Sequence, residues 1–362
     1  IAPVLVALSL PVLRRVAAAD RQVGTSLLVL ALMLKLASSL VRYAQAFLLY
    51  DGNADASRYH DAGAGIAAAL RAGLAWKAVG PFPGTATLEA VAGYVYLVTG
   101  TSVLIGFLVF SWLGFWGLLL FHRAYAVAFP DGETRRYALL VLFLPSLLFW
   151  PSSIGKEALM TLGLGLGAYG AARLFARRPG GVLCLAAGLG LASLIRPHMA
   201  AMLFAGVFVG YLARPLRPGS AFGPLLKAFG VAIMVVVGLV LVAQAEKFFG
   251  VDGKDGRTVG SVIDSTVQQT SQGGSEFEAT PVTNPLQLPM AIVSVLLRPF
   301  PWEANNLQAL VAAMESTGLA YVVWRSRDRL RRLPSLLRTQ PYVAFVVSYS
   351  LLFVVAFSSF AN

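Results

Sequence analysis

Residues 51–61 read Asp-Gly-Asn-Ala-Asp-Ala-Ser-Arg-Tyr-His-Asp, which places Asp51, Asp55, Arg58, Tyr59, His60 and Asp61 within eleven positions. A carboxylate held at a membrane face can serve as a general base, and a histidine can move protons near neutral pH. Asp55, Asp51 and His60 are therefore the candidate catalytic groups. A solvated segment whose aspartates cap a helix is the competing reading of the same residues. Charge recurs in three other short stretches: Ser152-Ser153-Ile-Gly-Lys156-Glu157, Arg196-Pro-His198 and Arg298-Pro-Phe-Pro-Trp302-Glu303. With Arg42, Arg58 and Tyr59, these supply the candidate substrate-binding set of Lys156, Glu157, Arg196, His198, Arg298, Trp302 and Glu303. The cations suit a phosphate. Tyr59, Phe300 and Trp302 suit the face of a sugar ring, or serve as interfacial anchors.

The elements that must position these groups follow from composition. The chain is 57% hydrophobic and only 13% charged, with a mean hydropathy of +0.71. A soluble domain carries about 45–50% apolar and about 25% charged residues. An ordinary soluble protein and a disordered chain are both excluded, and the single cysteine, Cys184, excludes a disulfide scaffold. The expectation is an all-α, polytopic transmembrane protein. A membrane crossing takes about 20 residues, and ten spans are predicted, near 1–13, 24–46, 95–121, 137–150, 157–175, 181–195, 199–213, 223–244, 306–324 and 341–358. The first stretch reads as a span, because Arg14 and Arg15 follow it, whereas the basic residues of a signal peptide precede its apolar run.

The net charge of +12 would point to nucleic acid in a soluble protein, but here the cations fall in alternate loops. Arg14, Arg15 and Arg21, then Arg123, Arg135 and Arg136, and so on to the run from Arg325 to Arg338, all fall on one side. Lysine and arginine collect in cytoplasmic loops, so the charge is a topology signal with anionic membrane lipid as its partner, and no nucleic acid is expected. The other side then carries two long outer segments, 47–94 and 245–305, within a single transmembrane domain spanning 1–362. In the first, Ile66, Leu70, Leu74 and Val79 share a helical face, predicting an interfacial helix over 61–80. In the second, 288–297 reads as a re-entrant or interfacial helix, preceded by a Gly/Ser/Thr/Gln-rich stretch over 250–275.

Lys35 and Arg42, seven apart, share one side of the second span, and Glu315 is central in the ninth. Charges in lipid face a partner or a wet cavity. Either Lys35 pairs with Glu315, or Lys35 and Arg42 form a cationic track to an outer pocket. That pocket is expected to gather Asp55, Lys156, Arg196, His198 and Arg298. The run Gly163, Gly165, Gly167 reads as close helix packing. Three histidines and one cysteine make no familiar zinc set, no metal ligands are assigned, and the sequence leaves a divalent metal open as cofactor.

The segment Asp55-Ala-Ser-Arg58-Tyr59-His60 resembles the first-loop acidic motif of polytopic GT-C-type glycosyltransferases. The stretches 145–157, 196–198 and 298–303 resemble bacterial membrane proteins grouped with those enzymes and with O-antigen-polymerase-like proteins. The resemblance implies an inverting glycosyltransferase in a bacterial plasma membrane, active at its outer face. It would use a polyprenyl-phosphate-linked sugar donor and a glycan or lipid acceptor, with the catalytic acid at Asp55 and Asp51 second. A polysaccharide polymerase or ligase, and a lipid-linked-glycan transporter or flippase, remain alternatives. A transporter places its polar groups near mid-membrane, whereas here most lie at one rim.

Overall fold

The computed structural model describes residues 1–49, 52, 54–74, 83–216, 222–249, 287–304 and 306–360. Among these the chain is helical, without strands, and forms two compact units, Ile1–Arg196 and Pro197–Asn362. Seven helices among the described residues are long and apolar enough to cross a membrane.

The first unit holds nine helices among its described residues. They are α1 (Ala2–Ala19), α2 (Thr25–Ala44, continued by a π-helical turn Gln45–Leu49), α3 (Asp55–Arg71), α4 (Thr85–Thr99), α5 (Val103–Ala128), α6 (Thr134–Phe143), α7 (Pro145–Phe149), α8 (Lys156–Phe175) and α9 (Gly181–Ile195). Its core joins Leu13 of α1, Leu28 and Leu32 of α2, Phe115 and Leu118 of α5, and Leu142 of α6. Apolar area alone does not drive helices together inside lipid, so close backbone approach matters. The glycine run over 163–167 acts in this way: a Cβ on Gly165 would lie 2.3 Å from the Gly117 carbonyl oxygen, so α8 and α5 meet backbone to backbone.

Three sequence expectations change here. The span predicted over 137–150 divides into α6 and α7. Pro145 opens α7, because it has no N–H to continue the α6 ladder and its ring clashes with the preceding turn. The span predicted over 95–121 begins earlier and is interrupted at Gly100, whose φ of 84° and ψ of 158° suit glycine and end α4 before α5 starts. The interfacial helix predicted over 61–80 instead begins at Asp55 and ends at Arg71, with Gly73 at φ 70° just beyond it. Its predicted remainder falls largely on 75–80, outside the described residues.

The second unit contains α10 (Pro197–Ala213), α11 (Gly223–Phe249), α12 (Leu288–Leu297), α13 (Leu307–Arg325), the short α14 (Arg327–Leu330) and α15 (Leu333–Thr339), and α16 (Pro341–Phe360). Helices α10 and α16 pack closely at Gly206, where a Cβ would meet Tyr349 and the Phe345 carbonyl. Helices α11 and α13 are almost wholly exposed though apolar, which suits a lipid surround. The helix predicted over 288–297 is present with those bounds, and the stretch 250–275 lies outside the described residues. At 15 and 17 residues, α9 and α10 are shorter than the seven.

Candidate functional site

The first turn of α3 carries Asp55, Arg58 and Tyr59. The first turn of α8 carries Lys156 and Glu157, and Arg196 closes α9. The structure brings these six residues together, although they come from three separated stretches of chain. Lys156 feels the charges of Arg196, Asp55, Glu157 and Arg58. Arg196 donates to Glu157 at 3.2 Å. Arg58 lies 3.9 Å from Asp55 and stands over the Tyr59 ring, 5.3 Å from its centre. Tyr59 is buried, and that burial, then the Asp55 carboxylate, push its phenol above the ordinary value. It therefore stays protonated, and able to donate, at neutral pH.

Each of these side chains is positioned by a contact elsewhere. The end of α9 is pinned by the Leu194 carbonyl, which accepts from the Gly84 amide at 2.8 Å and from Thr87 Oγ1 at 2.7 Å. Because α4 starts there, it anchors Arg196. Helix α3 then lies on α4 through facing glycines, a Cβ on Gly63 coming within 2.7 Å of Ala92 Cβ and one on Gly93 within 2.4 Å of Ile66 Cγ2. His60 adds to this seam, its Nδ1 lying 2.8 Å from the Tyr96 hydroxyl with the two rings edge to face. The Nδ1 of this candidate catalytic residue is thus engaged at the α3–α4 seam, a quarter-turn away from Tyr59.

Lys156 is positioned by a knot around Lys35. Short α7 ends with carbonyls that have no helical partner. Lys35 Nζ donates to two of them, Leu147 at 2.8 Å and Leu148 at 2.9 Å. Ser152 Oγ also donates to the Leu148 carbonyl at 2.6 Å. Ser111 Oγ donates to the Lys35 carbonyl at 2.7 Å and lies 3.1 Å from Ser152 Oγ. All three side chains are fully buried. This corrects the expected track toward a pocket: the Lys35 donors fasten the turn that precedes Lys156, while Glu315 belongs to the second unit. Arg42 does not continue a track either. Its guanidinium stands 4.9 Å from the Phe149 ring centre and 5.1 Å from that of Trp150, with Nη1 donating to Gln45.

The cluster pairs three cations with two carboxylates, leaving one positive charge in excess. Two helix N-termini lie beside it, those of α3 and α8, and neither has a side-chain cap. Uncapped N-terminal amides and the helix dipole both favour an anion. The cluster is open: Asp55 is 77% and Arg58 62% exposed.

The remaining predicted residues belong to the second unit, whose own geometry is compact at 298–303. Arg298 donates to Glu303 at 3.0 Å, Glu303 accepts from the Phe300 amide at 3.0 Å, and Phe300 stacks on Trp302 with centroids 4.9 Å apart. The Phe300 N–H, and after it Arg298, hold the Glu303 carboxyl below its ordinary value. His198 packs its ring against Phe248 at 5.9 Å. Asp51 lies outside the described residues. The sequence reading passed over Glu89, an acid 2% exposed on α4. Its one signal was a lone carboxylate in the apolar run 85–99. Among the described residues no group of three His, Cys, Asp or Glu side chains could hold a metal ion.

No family model matches the chain, and neither a curated protein nor a solved structure does.

Proposed function

We propose that the chain is an inverting membrane glycosyltransferase of GT-C type, using a polyprenyl-phosphate-linked sugar at the outer face of the membrane. One observation carries this reading: Asp55, Glu157, Arg58, Lys156, Arg196 and Tyr59 converge at the N-terminal ends of α3 and α8. Glycosyl transfer needs a base for the acceptor hydroxyl and fixed positive charge for the departing phosphate. Asp55, exposed at the rim, takes the hydroxyl proton. The acceptor oxygen then bonds to the anomeric carbon as the bond from that carbon to the phosphate oxygen breaks. The electron pair leaves with the polyprenyl phosphate, whose added charge rests on Arg58, Lys156 and Arg196, with Tyr59 donating a hydrogen bond.

The polar groups lie at helix ends rather than at broken helices in mid-span, which favours an enzyme over a carrier. The test is to incubate the purified full chain with a polyprenyl-phosphate hexose labelled in the sugar, together with membrane glycan extracts. Release of polyprenyl phosphate with the label moved to an acceptor is expected. Uptake of the intact donor across a vesicle membrane without bond cleavage would overturn the reading in favour of a carrier.

A further inference from the structure

At the other end of α8, about 20 Å from Lys156 by helical rise, lies a second feature unrelated to the cluster above. A cavity of about 390 Å³ opens between α1, α5 and α8. Its walls are apolar, with Val12 and Val16 from α1 and Trp116 and Leu120 from α5. Arg15 and Arg123 also line it, and neither has a hydrogen-bond or ion-pair partner among the described residues. Above the cavity α1 and α5 are joined by Trp112, whose indole N–H donates to Ser9 Oγ at 2.8 Å. Beyond it, at the C-terminal ends of the same two helices, His122 Nε2 lies 3.3 Å from the Asp20 carboxylate.

Tyr169 of α8 supplies a third polar group to the lining. Its hydroxyl oxygen accepts from Arg173 Nη1 at 2.9 Å. That contact orients the phenol and leaves its proton available to a further acceptor. Arg173 is in turn held by the Pro179 carbonyl at 2.9 Å. The arrangement is two unneutralised guanidinium groups and one oriented hydroxyl beside a wall of Val, Leu and Trp, on helices apolar enough to lie in a bilayer. A free soluble anion would use the cations and leave the apolar wall wet. A neutral lipid would fill the wall and leave two guanidinium groups without a counter-charge.

We propose that this cavity is a binding site for an anionic glycerophospholipid, its phosphate between Arg15 and Arg123 and its acyl chain along the α1–α5 wall. Basic pockets between membrane helices recognise lipid headgroups in this way. Forked guanidinium groups match the phosphate oxygens.

Trp116 lies in the wall and reports occupancy. The full chain in detergent is titrated with phosphatidylglycerol carrying brominated acyl chains, and with brominated phosphatidylcholine of the same chains. Trp116 quenching is read as the difference between the wild type and Trp116→Phe. Phosphatidylglycerol is expected to quench saturably at about tenfold lower concentration than phosphatidylcholine. The paired variant Arg15→Gln, Arg123→Gln should abolish that preference, and Arg14→Gln, outside the cavity, should keep it. Equal quenching by the two lipids, or a preference that survives in the paired variant, overturns the proposal. Should the paired variant fail to fold, the wild-type comparison of headgroups decides alone.

Discussion

Arg196 Nη2 lies 3.2 Å from Glu157 Oε1, tying the residue that closes α9 to the first turn of α8 across 39 positions of chain. The two side chains are 36% and 46% exposed, and such pairs contribute under about 1 kcal/mol. The contact therefore aims charge more than it holds the fold. Arg196→Ala is expected to leave thermal unfolding in detergent nearly unchanged while weakening polyprenyl phosphate binding about tenfold. A large loss of stability with unaltered binding would assign Arg196 to the scaffold instead.

Lys35 has the opposite character. Lys35→Met keeps length and bulk but leaves the Leu147 carbonyl without its buried donor and the Leu148 carbonyl with Ser152 Oγ alone. An abandoned acceptor costs about 1–3 kcal/mol. The unfolding temperature should fall, and amide hydrogen exchange should quicken over residues 147–155, ahead of the rest of α2 and α5. Unchanged exchange in that turn would mean that Ser111 and Ser152 hold it by themselves.

The turn at 298–303 gives a pH signature. Glu303 has a carboxyl held below its usual 4.5, so its ionised form stabilises the turn. That stabilisation is complete above the ordinary value and is lost as pH falls through the lowered one. Acid titration should disturb the Phe300–Trp302 stack, read as Trp302 fluorescence by difference from Trp302→Phe. In Glu303→Gln the transition should vanish. An identical acid transition in that variant would place the titrating group elsewhere.

The legible and illegible parts of this chain differ in physical kind. Apolar runs long enough to cross a bilayer reveal themselves by composition, so helices such as α2 and α11 are plain in the sequence. The break within 137–150 was also visible in Pro145, but the apolar residues on both sides masked it. The start of α3 was obscured because Ala54 precedes it in place of a capping serine or aspartate, so residues 55–60 read as a loop. Convergence of Asp55, Lys156 and Arg196 is expected from their places at span ends, but the contacts that produce it, the α3–α4 glycine seam and Leu194, are long-range and have no local pattern. The role of Lys35 was hidden for a related reason. Its partners are main-chain carbonyls, which every residue has, so no partner side chain marks them. Arg15 and Arg123 were read as topology charges, and only the spacing of three helices makes them walls of a cavity.

The most direct test of the proposed chemistry is Asp55→Asn, assayed for turnover and for polyprenyl phosphate binding in the same preparation. The side chain is exposed and its contact with Arg58 is 3.9 Å, so the fold should be unaffected. A general base lost at this position should reduce turnover about 10²–10⁴-fold, while binding persists on Arg58, Lys156 and Arg196. Wild-type turnover in Asp55→Asn would contradict the assignment of the base and, with it, the chemistry proposed for this cluster.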